Sequence, residues 1–162
     1  MHTLLDAAYT TSLPIVIVGS GGIEKEIRLR ANQLNLSNVH FVGALPEDDK
    51  AALLQLCYAV VFPSHQRSEA FGITLLEGAM YGKPLISCEI GTGTSFINID
   101  GQTGLVVPPS NSYALREAML KLWDSPLLAE IYGQNAFYRF KELFTSNNMC
   151  KKYVELYTRL VS

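Results

Sequence analysis

No surplus of either charge marks this sequence of 162 residues: 13 Lys and Arg stand against 15 Asp and Glu, a net charge of −2. Without a basic block, nucleic acid is not expected as a partner, because a phosphate backbone is held by clustered Lys and Arg. Long hydrophobic runs are missing too, so no segment is expected to span a bilayer. Residues 1–5 turn polar too soon to read as a signal peptide. Cysteine is scarce: Cys57, Cys88 and Cys150 are odd in number, far apart and form no C-x-x-C pair. That argues against a disulfide framework or a zinc site, and fits the reducing cytoplasm. His2, His40 and His65 are equally scattered, so no metal is expected.

What is present suits one globular domain. Hydrophobic residues make up 48% and charged residues 17%, enough apolar material for a core and too little charge for disorder. No internal repeat or low-complexity linker divides the chain, so residues 1–162 are read as a single domain. Short β-branched runs alternate with helical periodicity. Strands are predicted at residues 15–18, 39–42, 59–62, 85–88 and 104–107. Ile23, Ile27, Ala31 and Leu34 recur at helical spacing. Pro46 is predicted at a first helical position, with Glu47, Asp48 and Asp49 at the positive end of the dipole and the helix running to about Leu56.

A third helix is predicted from about Gly72 to Tyr81, closed by Gly82. Leu115, Ala118, Met119 and Leu122 mark a fourth, and Ser125-Pro126 a cap with a first-turn proline. A last helix carries Tyr153, Leu156, Tyr157 and Leu160 on one face. Its Lys151, Lys152 and Arg159 suit a membrane surface or another domain, but packing on its own core is the default expectation.

Strand and helix alternating through short connections give right-handed crossovers. The expected fold is α/β, a Rossmann-like parallel sheet with helices on both faces. Ligands on such sheets bind beyond the carboxyl ends of the strands, which places the candidate site in the loops after Val18, Val42, Phe62, Cys88 and Val107.

Two segments there carry chemistry. Gly19-Ser20-Gly21-Gly22 follows a strand and precedes a helix, where amides can meet a phosphate. The sixth position of a G-x-G-x-x-G fingerprint is Glu24, and no Gly-Lys-Ser/Thr ending follows, so neither a dinucleotide nor a Walker loop is matched. A tight turn, or a turn in which Gly19 and Gly21 also border the ligand, both remain open. The second segment runs from Ser68 through Glu69, Phe71, Gly72, Ile73 and Thr74 to Glu77. Gly72 permits close backbone approach, and the amides near Phe71, Gly72 and Ile73 are expected to be unpaired at a helix N-terminus. Each carboxylate can accept two hydroxyl donors. From spacing alone, Glu69 as a cap and Glu77 as a surface charge is the alternative.

The second segment resembles the E-x-F-G…E signature of retaining glycosyltransferases, the large group 1 (family 4) type that includes sucrose synthase, glycogen synthase and bacterial mannosyltransferases of surface-polysaccharide assembly. Five further segments match in order: residues 16–21 resemble V-I-V-G-x-G, 41–50 the F-x-G loop and its helix, 61–64 the strand before the signature, and 82–86 with 103–106 the G-K-P-V-I and T-G-x-L-V segments. The resemblance implies the C-terminal, donor-binding half of a GT-B fold. It assigns donor-sugar hydroxyls to Glu69, the catalytic position on this reading, and sugar and phosphate oxygens to Phe71, Gly72, Ile73 and Thr74. Ribose hydroxyls go to Glu77. Leu45, Glu47 and Lys50 fall where the family often contacts the base, or form an ordinary helix start. Ser64 and His65 lie at the strand end nearest the sugar, His65 being equally readable as an exposed loop residue. Thr92, in Gly91-Thr92-Gly93-Thr94, replaces the more usual Gly-Gly-x-x-E loop and can reach ligand oxygens or cap the next turn.

Two departures accompany the match. The basic pair that the family usually carries after its first strand is not found, nor is that strand. The chain is therefore expected to be a fragment of a two-domain enzyme, inactive by itself, with an exposed sheet edge open to self-association. The implied activity is transfer of a hexose, with retention, from GDP-mannose or a UDP-hexose to a glycan or lipid-linked acceptor held by an N-terminal domain, at the inner face of the membrane. No cofactor or metal is implied. A non-catalytic nucleotide- or glycan-binding module and a nucleotide-sugar epimerase are the competing readings.

Overall fold

The computed structural model describes residues 1–161. In chain order the elements are α1 (His2–Ala8), β1 (Ile15–Val18), α2 (Glu24–Gln33), β2 (Val39–Gly43), α3 (Glu47–Leu56), β3 (Val60–Phe62) and α4 (Ile73–Met80). There follow β4 (Leu85–Cys88), α5 (Thr94–Ile97), β5 (Gly104–Val107), α6 (Ser112–Trp123), α7 (Pro126–Leu143) and α8 (Ser146–Val161). Every strand pair is parallel, as crossover helices require.

The β-structure comes in two parts. β1 pairs with β2, in register from Ile15 opposite Val39 to Ile17 opposite Phe41, with an irregularity that sets Val18 opposite Gly43. β3, β4 and β5 form a second sheet in that order. Among the described residues no strand joins β1 to β3, although both line one apolar core: Ile15, Ile17 and Val61 pack against Leu4, Leu13, Ile86 and Leu105. β4 is buried at all four positions because it is central in its sheet and covered on both faces.

The helices bury the faces that periodicity marks. α2 buries Ile27 and Ala31, and α6 buries Leu115, Ala118, Met119 and Leu122. Asn111 caps α6 by accepting from the Ala114 amide at 2.9 Å. α4 lies close on β3 because Gly78 has no side chain: a Cβ there would meet Val60 Cγ2 at 2.8 Å.

Three local expectations are corrected. Pro46 is the N-cap of α3, with ψ 157°, so the helix begins one residue later. Ser125 holds the N-cap position of α7 without a side-chain cap bond, while Pro126 does open the helix. α8 does not pack on the core of this domain, since none of its residues is buried. Among the described residues no helix is long and apolar enough to cross a membrane.

Candidate functional site

The β3–α4 loop shapes the centre of the site. Gly72 is the N-cap of α4 in the left-handed region, φ +88° and ψ 60°, a conformation that costs any L side chain. The turn it makes lets Glu69 fold back, so that its carboxylate accepts the Gly72 amide at 3.1 Å. The expectation that this amide is unpaired is therefore corrected. The amides of Ile73 and Thr74 have no acceptor among the described residues, and they stand at the positive end of α4, where anionic oxygens are favoured. Phe71 is exposed on one side, while its ring packs edge-on against Phe144 at 6.3 Å between centroids.

A second loop is tied to the first. The Gly93 amide donates to the Ala70 carbonyl at 3.0 Å, binding the β4–α5 loop to the β3–α4 loop. The contact demands a glycine: a Cβ at Gly93 would lie 2.8 Å from Phe71 Cδ2. Thr92 and Thr94 hydroxyls are 3.4 Å apart, and Glu89 Oε1 accepts from the Gly91 amide at 2.9 Å. Thr92 thus sits beside the α4 N-terminus. Sequence reasoning missed the tether itself, and also Arg67. This exposed guanidinium reaches toward Gly91 and has no ion pair among the described residues. A cation two residues before Glu69 was the available signal.

Glu77 is no free surface charge. Its Oε1 accepts from Lys50 Nζ at 2.9 Å across 27 residues of chain. Lys50 also meets Glu47 at 2.9 Å, and the bonds to Glu77 and then to Glu47 hold its ammonium above the usual lysine pKa. Lys50, Glu47 and Glu77 are therefore one group spanning α3 and α4. Leu45 is half-buried just before α3.

Gly19 stands at the end of β1. Its amide donates to the Gly43 carbonyl at 2.7 Å, with φ +118°, and Gly21 is exposed beside it. Ser64 is half-buried and His65 exposed beyond β3, and neither hydrogen-bonds to the other loops among the described residues. A shallow hollow lies away from these loops, between the end of α4 and α7 at Met80, Gly82 and Phe137. The candidate site is an open surface at the strand ends. Among the described residues no three His, Cys, Asp or Glu side chains cluster to hold a metal ion.

The family model for glycosyl transferases group 1 matches residues 2–139. The chain belongs to that family. It is 58% identical over 161 residues to the O-antigen chain mannosyltransferase C of Escherichia coli, covering 99% of this chain and 43% of the relative. It is 61% identical over 146 residues to the D-rhamnosyltransferase WbpZ of Pseudomonas aeruginosa, covering 90% and 38%. The chain therefore spans less than half the length of these relatives. Among solved structures, HepE of Anabaena in complex with UDP superposes with a TM-score of 0.88 at 21% identity, over 98% of this chain and 45% of HepE. The group 1 chain has the Rossmann-like fold of a GT-B C-terminal domain.

Proposed function

We propose that this domain is the donor-binding part of a retaining hexosyltransferase that builds O-antigen or a similar surface polysaccharide. The observation that carries the reading is the α4 N-terminus, where two unpaired amides stand between Glu69 and Glu77 in a chain of the group 1 family. The amides of Ile73 and Thr74 receive the diphosphate, whose charge grows as the glycosidic bond breaks, and fixed donors at that point stabilise the departing group. Glu69, anchored by Gly72, accepts hydroxyls of the donor sugar and orients it. Glu77 accepts the ribose hydroxyls. Phe71 and Thr92 border the sugar, while Leu45 and the start of α3 border the base.

The donor is GDP-mannose first and a UDP-hexose second, a hexose being in keeping with the mannosyl- and rhamnosyltransferases to which the chain is similar. Retention follows from attack on the face the diphosphate leaves, with no covalent nucleophile and no metal ion. The glycan or lipid-linked acceptor comes from a further domain, at the cytoplasmic face of the membrane.

The test compares GDP with GDP-mannose, and UDP with UDP-glucose, as ligands of the protein and of Glu69→Ala. A sugar contact at Glu69 predicts that the variant keeps its affinity for the bare diphosphate and loses the increment due to the sugar. Equal loss for both ligands would remove Glu69 from the sugar.

A further inference from the structure

Resting on the donor-site reading above, we infer that Lys50 is a positioning residue that sets the Glu77 carboxylate for a ribose diol and discriminates ribonucleotides from 2′-deoxynucleotides. Lys50 lies in the first turn of α3 and Glu77 in the second turn of α4, so the pair links the helices that precede and follow β3 in the chain. The two side chains are 29% and 25% exposed, whereas Glu47, the other partner of the ammonium, is 86% exposed. The Glu47 arm is solvated and screened. The Glu77 arm is the sheltered one, and it fixes a carboxylate.

Lys50 engages Glu77 Oε1 only. Glu77 Oε2 has no partner among the described residues. A vicinal diol brings two donors and needs both oxygens of a carboxylate at a defined plane. Without Lys50, Glu77 would turn freely at the rim of α4, and each nucleotide would have to order it on binding. A lysine that only competed with the ribose would act in the opposite direction, and this opposition makes the inference testable.

The experiment is a calorimetric titration of the protein with GDP, UDP and their 2′-deoxy forms. It covers wild type, Lys50→Met, Lys50→Arg, Glu77→Ala and the double variant Lys50→Met/Glu77→Ala. Lys50→Met is expected to weaken the ribonucleotide about 5-fold, the size of one side chain left to be ordered, and the deoxy form much less. Lys50→Arg should restore the preference, and Lys50→Met should cost nothing further once Glu77 is alanine. Additive losses in the double variant, equal losses for ribo and deoxy forms, or tighter binding by Lys50→Met would each overturn the inference while leaving the donor site standing. Unchanged affinity in Glu77→Ala, or no nucleotide binding by wild type, would overturn the donor-site reading and this inference with it.

Discussion

Gly72→Ala tests the turn on which the site is built. The residue sits at φ +88°, where an L side chain costs roughly 1–2 kcal/mol. Its new Cβ would lie 3.1 Å from Thr94 Cγ2 and 3.2 Å from Leu75 Cδ1. Thr94 is 1% exposed and Leu75 0%, so neither has free space to move into, and crowding a packed interior adds about 1 kcal/mol or more. The sum is about 2–4 kcal/mol. For a domain of this size each kcal/mol moves Tm by roughly 2–4 °C, giving a fall of about 4–16 °C by differential scanning calorimetry. Gly22→Ala is the matched control. A Cβ there meets nothing within 4 Å and the backbone is not left-handed, so its Tm should stay within about 2 °C of wild type. A Gly72→Ala protein as stable as Gly22→Ala would refute both the strain and the packing at this turn.

Three further outcomes are expected. Asn98 is wholly buried and donates to Ser87 Oγ at 2.9 Å and the Leu105 carbonyl at 3.1 Å, while accepting from Thr103 Oγ1 at 3.0 Å. Asn98→Ala should therefore cost about 3 kcal/mol in urea unfolding, and a loss under 1 kcal/mol would show that the network is not needed. Ellman's reagent should label exposed Cys150 at once, half-buried Cys57 slowly and buried Cys88 only on unfolding. Rapid labelling of Cys88 would contradict the packing of β4. Burial raises the thiols of Cys57 and Cys88 above 9.0 and the Tyr58 hydroxyl above 10.0. Folded pKa values above the unfolded ones mean stability fully present below about pH 9 and lost as pH rises through the raised values. Tm should accordingly fall from pH 9 to 11, and a flat Tm there would contradict it.

Much of the fold was legible because it is local. Residues 15–18 and 85–88 are short β-branched or apolar runs ended by turns, and Ile27 with Ala31 repeat at helical spacing. α5, only Thr94–Ile97, is too short for periodicity to register. The apolar face of α8 was visible, but whether anything covers it is tertiary, and the default expectation of a packed helix failed there. The break between β1 and β3 is likewise a matter of strand pairing, which the runs do not encode. In the site, Glu69 reaching the Gly72 amide is a three-residue contact that spacing suggests as a cap. The Lys50–Glu77 pair crosses 27 residues and two helices, and no pattern along the chain announces it. The Gly93–Ala70 tether was hidden for the same reason.

Titration of the protein with ADP, GDP and UDP, alongside Glu77→Ala, tests the central claim most directly. The account predicts saturable one-to-one binding of one nucleotide, GDP first, weakened about 10-fold or more by Glu77→Ala as a charge-assisted contact is lost. Binding of none of the three, or an affinity that Glu77→Ala leaves untouched, would contradict it.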